Sequence, residues 1–383
     1  MTLKLTGHPL FPPWTDPKTA VVSYILKTDV AACRQSFYFT NPGLTNNERY
    51  LWFYTFNPPS GSAEIGRTLA VADLEKTIVV NCPETQFRDA SPYIDPLNGD
   101  AYWAWDYSIW KRSPEKNAAA QRVNSVPESV HKNRYGKRLA THLTRSSDGK
   151  HFLIDAAFGR EWVAGLLPVD GSDFILLQSF DRCFNHAQMS PTDPDLALIA
   201  QDWWIDVADG SHKNYENRIW LLKRGQPAKP LFDAAYGKNH THEWWDSSGR
   251  YIWYVDFTAG VAKGDIATGK YSLVWPNETG VGPACHAHAD TTGNYLVADI
   301  GTYPLENWKD GKCRVRFKNL KTGKSANIVS ALPAPFGDRF SKYHVHPHPQ
   351  FCANDRWICY TTTVLGEIDV ALVDVRQLIH CTE

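Results

Sequence analysis

Asp246–Phe257 reads DSSGRYIWYVDF, a polar turn carrying a glycine and then a short strand of aromatic and aliphatic residues. The pattern returns C-terminally at Asp290–Gly301 (DTTGNYLVADIG) and Cys352–Thr363 (CANDRWICYTTT). N-terminally it is found at Ser190–Asp202 (SPTDPDLALIAQD), Ser146–Ala157 (SSDGKHFLIDAA), Asp95–Asp106 (DPLNGDAYWAWD) and Thr45–Phe56 (TNNERYLWFYTF). Seven copies spaced about 44 to 62 residues apart fall in the range of propeller blades. Second hairpins lie between them, such as Gly264–Val274 (GDIATGKYSLV) and Val315–Val329 (VRFKNLKTGKSANIV). Each is a strand, a glycine-containing turn and a strand. Four short strands per period predict an all-β, seven-bladed β-propeller. It is expected to run over residues 1–383 as one domain, with Thr19–Leu26 (TAVVSYIL) pairing into the last blade to close the ring. Two stacked sandwiches give no reason for seven periods.

Net charge is −1 with the basic residues scattered, so nothing points to nucleic acid or an anionic membrane, and an acidic ligand must meet a local cluster. No secretory h-region and no apolar run of transmembrane length is visible. The eight cysteines show no C-x-x-C pair and read as reduced thiols, which makes a cytoplasmic location the expectation. The oligomeric state is left open. Most of the 15 tryptophans are expected to fill the space between blades, with Trp203, Trp204, Trp244 and Trp245 placed to stack on a sugar ring.

The histidines share a phase. Seven positions before the turn residues Gly149, Asp195, Gly249, Gly293 and Asp355 stand His142, Gln188, His242, His286 and His348. Two positions earlier stand His186, His240 and His346, and His344 extends the last series. Residues two apart on a regular strand share a face, so these side chains are expected to converge on the propeller axis. His346-Pro347-His348-Pro349 belongs at an edge, because proline cannot donate to a ladder, and is assigned to an innermost strand with His344, His346 and His348 on one face. Neutral imidazoles gathered in this way are ligands for a divalent transition metal such as Mn²⁺ or Zn²⁺. His286, His346 and His348 form the expected set, and His142 reads as structural. The competing reading is a polar channel in which each histidine is satisfied by backbone or water.

These segments resemble the oligogalacturonate lyase family of propeller-type uronate lyases. The resemblance rests on Thr241-His242-Glu243-Trp244-Trp245, on Cys285-His286 with its Asp-Thr-Thr-Gly turn, and on His346-Pro347-His348-Pro349-Gln350-Phe351. Asn217-Arg218-Ile219-Trp220 and Cys33-Arg34…Phe37-Tyr38-Phe39 add to it. It implies a divalent metal, Mn²⁺ in type with Zn²⁺ or Ca²⁺ as alternatives, on three histidines and a glutamine. The histidines carry over to His286, His346 and His348, whereas the glutamine falls on Tyr343 by ungapped count. His344, His288, Gln188 or water would then complete the set. The resemblance further implies His242 as base and Arg218 as the arginine that binds substrate. His186, Gln188, His240 and Tyr343 are the other candidates for contact with sugar. Glu243, directly after His242, reads as orienting or structural.

The expected reaction is β-elimination in a short acidic oligosaccharide, with oligogalacturonate first and rhamnose-linked glucuronate or ulvan-type sugars next. Removing the weakly acidic C5 proton demands that the adjacent carboxylate be neutralised while a neutral imidazole takes the proton. A metal-dependent propeller hydrolase and a non-catalytic interaction platform are the readings from other classes.

Overall fold

The polar turns close in a common way. The backbone N–H of Ser146, Asp246 or Asp290 donates to the carbonyl of His151, Tyr251 or Tyr295, and the glycine between (Gly149, Gly249, Gly293) sits at φ of 72°, 70° and 65°. An L side chain there would be strained, which is why the pattern keeps a glycine at these turns. Each turn joins the first, innermost strand of a sheet to the second. The computed structural model describes residues 3–86, 90–136, 138–206, 208–233, 236, 239–302, 306–334 and 343–383.

Seven antiparallel sheets follow, the blades of a seven-bladed β-propeller. The innermost strands of blades 1 to 4 are Cys33–Gln35, Tyr93–Ile94, Thr144–Arg145 and Phe184–Met189. Those of blades 5 to 7 are His240–Trp245, Ala284–Ala289 and Gln350–Cys352. The seven sequence repeats supply the second strands, from Tyr50–Phe56 in blade 1 to Trp357–Thr362 in blade 7. As the periodicity predicted, Val22–Ile25 pairs with Asp369–Asp374, so the N-terminal strand completes the last blade. Among the described residues, only blade 4 carries a separate two-stranded hairpin, Trp204–Ile205 with His212–Lys213. Alternate strand residues fill the clefts between blades: Leu198, Ile219, Ile252 and Tyr254, all buried, join blade 4 to blade 5. No helix of the described residues is long and apolar enough to cross a membrane.

The innermost strands depart from regularity in one respect that decides the site. In blades 4, 5 and 6 the register slips between Asn185 and Gln188, Thr241 and Trp244, and Ala284 and Ala287. A β-bulge therefore holds His186, His242 or His286 in each case, re-aiming that side chain. His186 and His242 have φ of 51° and 49°. A non-glycine residue in this region costs on the order of 1–3 kcal/mol and persists where the surroundings enforce it. The expected i, i+2 alternation is broken here, because one histidine of each strand sits inside the bulge.

The proline run is also placed differently from the expectation. His344 to Pro349 lies ahead of the innermost strand Gln350–Cys352, not within it. Two prolines remove ladder donors, and His344 and His348 take φ of 47° and 43°. The run still lies along the second strand of blade 7, where Thr361 donates its N–H to the Pro347 carbonyl at 2.8 Å.

Candidate metal centre and active site

His286, His346 and His348, all buried, offer one ring nitrogen each within 4.8 Å of one another. Blade 6 supplies the first and the proline run supplies the other two. Asp299, on the second strand of blade 6 and fully buried, fixes this arrangement. Its carboxylate accepts the His286 backbone N–H at 2.8 Å, the His286 Nδ1–H at 2.9 Å and the His348 backbone N–H at 3.3 Å. With Nδ1 donating to Asp299, the lone pair of His286 is on Nε2. A carboxylate behind a histidine is the arrangement that orients metal ligands. His348 Nε2 is buried with no hydrogen-bond partner among the described residues. Burial holds His346 and His348 well below the usual imidazole pKa, as do their histidine neighbours, so both are neutral. Three buried imidazoles, one orphaned nitrogen and an orienting carboxylate fit a divalent transition metal. Burying unpaired nitrogens with no ligand is costly, which counts against the purely polar channel.

His242 lies beside this group, its ring centroid 4.1 Å from that of His286. Its Nδ1 makes a short hydrogen bond to the Cys285 carbonyl. A carbonyl only accepts, so Nδ1 carries the proton and Nε2 the lone pair. Burial, then the neighbouring His286, lower its pKa well below the usual value. It lines a cavity of about 370 Å³ with Phe257, Pro283 and Cys285. A second cavity, of about 220 Å³, is lined by Tyr38, Arg67, Arg138, His142, His186, His344 and His348.

The remaining expected residues divide. His344 lines the axial cavity with its ring 4.2 Å from His346, but it stands outside the three-nitrogen cluster. His186 lines the same cavity, 3.2 Å from His142 Nε2 through its Nδ1. His142, read as structural, is thus part of the ring. Gln188 is elsewhere: its amide donates to the Glu243 carbonyl, tying blade 4 to blade 5. His240 is fully buried among Phe232, Tyr236 and Tyr254, on the core side of its strand. Tyr343 stacks on Phe56 at 4.9 Å and donates its hydroxyl to the Ser60 carbonyl at 2.9 Å, so it does not occupy a ligand position. His288 accepts the Phe351 N–H through Nδ1 and lines a different cavity, which excludes it as the fourth ligand.

Arg218 is buried between two carboxylates: Nη1 lies 2.7 Å from Asp202, and Nε and Nη2 donate to Glu243 at 3.1 and 3.2 Å. Burial pulls its pKa down, but Asp202 and Glu243 more than offset this and raise it. The reading of Glu243 as orienting agrees with this geometry. Asp202 also lies 4.0 Å from His186 Nε2, so the pair abuts the histidine ring.

Three features escaped the sequence. Tyr38 stands at the centre of the ring, stacked on His142 at 4.3 Å and edge-on to His348 and His286 at 4.9 and 5.6 Å. Nothing in the repeat marks it, because it follows the short innermost strand of blade 1. Asp299 had a signal, since an aspartate stands nine residues after the turn-opening residue both there (from Asp290) and at Asp155 (from Ser146). Asp155 works alike, accepting the Thr141 N–H ahead of its own blade's innermost strand and the Ala187 N–H on that of blade 4. The histidine phase was miscounted in blade 4, whose turn is one residue longer, Ser190 N–H reaching Leu196. Counting four back from the turn-opening residues Ser146, Ser190, Asp246 and Asp290 gives His142, His186, His242 and His286, which are the four that line up.

No protein-family model matches this chain. Among curated proteins it is similar to the oligogalacturonate lyase of Dickeya dadantii, 26% identical over 178 residues, 44% of this chain and 45% of the relative. The oligogalacturonide lyase of Pectobacterium atrosepticum matches to the same extent, 26% over 178 residues, again 44% of this chain and 45% of the relative. The matched segment thus spans just under half the length of these curated relatives. Among solved structures, an oligogalacturonate lyase in complex with manganese superposes with a TM-score of 0.69 at 16% identity, covering 95% of this chain and 96% of that one. The oligogalacturonate lyase from Vibrio parahaemolyticus gives 0.74 at 17% identity with the same coverage, 95% and 96%. At these identities the likeness is one of fold.

Proposed function

We propose that this chain is a metal-dependent lyase that cleaves short uronic-acid oligosaccharides, oligogalacturonate or a related uronate, by β-elimination to a 4,5-unsaturated product. The observation that carries the reading is the Asp299-oriented triad of His286, His346 and His348 beside His242, a neutral imidazole with its proton fixed on Nδ1. A divalent cation on the triad supplies positive charge toward the uronate carboxylate, which acidifies the adjacent C5 proton. The three imidazoles argue against Ca²⁺, which prefers oxygen ligands, and suit Mn²⁺ or Zn²⁺. Manganese is the metal of the similar lyase structure. His344, on the cavity wall next to His346, is the candidate for a fourth protein ligand.

His242 takes the C5 proton on Nε2. The Cys285 carbonyl holds the opposite edge of the ring and favours the positive charge that appears on it, since its bond to Nδ1–H strengthens on protonation. Arg67 and Arg138, on the cavity wall, supply the cationic surface that an acidic sugar meets. Arg218 acts one step back. Its bonds to Glu243 fix the residue next to His242, and its bond to Asp202 fixes a carboxylate near His186. All eight cysteines are free and seven are buried, which supports a reducing compartment such as the cytoplasm.

The test is to incubate the chain with di- and trigalacturonate, with Mn²⁺ and after chelation, and follow the ultraviolet absorbance of the conjugated product. A metal-dependent rise is expected, reduced about 10²–10⁴-fold by His242→Ala with bound metal retained. Cleavage without any new absorbance would establish a hydrolase instead.

A further inference from the structure

Between the second and third strands of blade 4, Trp204–Ile205 and His212–Lys213 leave the blade and pair as a hairpin of their own. Its root is in the site already described, since Asp202 touches Arg218 at 2.7 Å and approaches His186 at 4.0 Å. Trp204 anchors it, packing edge-on against the buried Trp162 with ring centroids 4.8 Å apart. Trp203, one residue nearer the root, faces outward and is 53% exposed. One face of its indole is covered by His212 at 5.3 Å and an interplanar angle of 15°.

Beneath the hairpin lies a cavity of about 390 Å³ whose wall includes Asp181, Arg182, His212, Lys213, Asn214 and Glu216. Arg182 is exposed, with no hydrogen bond or ion pair among the described residues. It sits just ahead of the innermost strand that carries His186. Lys213 pairs with Asp209 at 3.9 Å and Asp202 with Arg218, which leaves Arg182 against Asp181 and Glu216 on this wall. This differs from the axial cavity, whose described wall has two arginines and no carboxylate. A wall of mixed donors and acceptors next to an exposed aromatic face suits hydroxyl groups and the C–H face of a pyranose. It gives a second carboxylate no net attraction, and Asp181 and Glu216 oppose one.

We propose that the blade 4 hairpin is an outer subsite for an uncharged sugar ring, held on Trp203 and hydrogen-bonded by Arg182 and Asn214, next to the uronate in the axial cavity. The inference rests on the uronate-lyase reading and narrows its substrate class to mixed oligosaccharides in which a neutral residue adjoins the cleaved uronate.

Calorimetry on the metal-loaded full chain, carrying His242→Ala to stop turnover, separates the two ideas. The probes are digalacturonate, tetragalacturonate and the alternating rhamnose–galacturonate tetrasaccharide. The alternating tetrasaccharide is expected to bind tightest. Trp203→Ala should weaken it roughly three- to tenfold, and Arg182→Ala should weaken it as well, with digalacturonate affinity unchanged in both. Unchanged digalacturonate binding also shows that the variants are folded. If the parent binds the tetrasaccharides and neither substitution alters this, the subsite is overturned and the lyase reading stands. An equal gain for tetragalacturonate overturns the assignment to an uncharged ring. If no probe binds the parent chain at all, the uronate reading falls and the subsite with it.

Discussion

His286 and His288 stand two residues apart on one innermost strand, and they face opposite ends of the propeller's channel. At the end of the polar turns, partners are provided for the polar groups. His288 accepts the Phe351 N–H, Trp245 donates its indole N–H to the Gln188 carbonyl, and Asp246 and Asp290 accept from their own turns. At the other end the chain leaves polar nitrogens over. His348 Nε2 and His142 Nδ1 have no hydrogen-bond partner among the described residues, and four histidines take positive φ. The remaining non-glycine residues at positive φ lie in the connections between strands. The same strands thus serve two purposes. A histidine whose hydrogen bonds close, such as His288, is part of the scaffold, and so is His240, whose ring nitrogens lack hydrogen-bond partners among the described residues but lie among Phe232, Tyr236 and Tyr254. Where the hydrogen-bond inventory stays open at the cost of backbone strain, the residue is arranged for something the chain itself does not supply.

The contrast can be broken most directly by substituting each partner of that pair. His286→Ala is expected to remove stoichiometric metal, read by elemental analysis, and to take turnover below detection. Retention of metal by this variant would sink the assignment of the triad. A smaller effect is expected behind the ligand. Asp299→Asn keeps the shape but weakens the orientation of His286, and should lower metal affinity about 10–100-fold in chelator competition. An unchanged affinity would show that Asp299 serves the backbone alone. The smallest effect belongs to the turn end. His288→Ala leaves the buried Phe351 N–H without its acceptor and should cost about 1–3 kcal/mol in urea denaturation. Metal content and kcat/KM should stay at wild-type values, and a loss of bound metal there would erase the distinction between the two ends.

Much of this was written in the repeat. The turns specify seven sheets because a tight polar turn, closed by a glycine at positive φ in blades 2, 3, 5 and 6, and a following apolar strand are local requirements, legible wherever they recur. The phase of the histidines carried nearly all of the ring for the same reason. It failed at Gln188 because a turn longer by one residue shifts a count taken from the wrong side of it. It failed again at His240, where the bulge between Thr241 and Trp244 turns one histidine of the strand to the core and the other to the site. Bulges have no sequence mark of their own here, since neither position is glycine.

What the sequence alone determined is the all-β propeller, its closure by the N-terminal strand, and the set of histidines that approach the axis. Only the tertiary structure decided which of them remain unsatisfied. It also decided that Asp299 stands behind His286, that Tyr38 fills the centre of the ring, and that Arg218 is bound to Asp202 and Glu243 instead of facing the cavity. The physical reason is range. Turn geometry and strand periodicity are settled within a few residues, whereas the partner of a buried polar group comes from another blade, tens of residues away, and no local pattern names it.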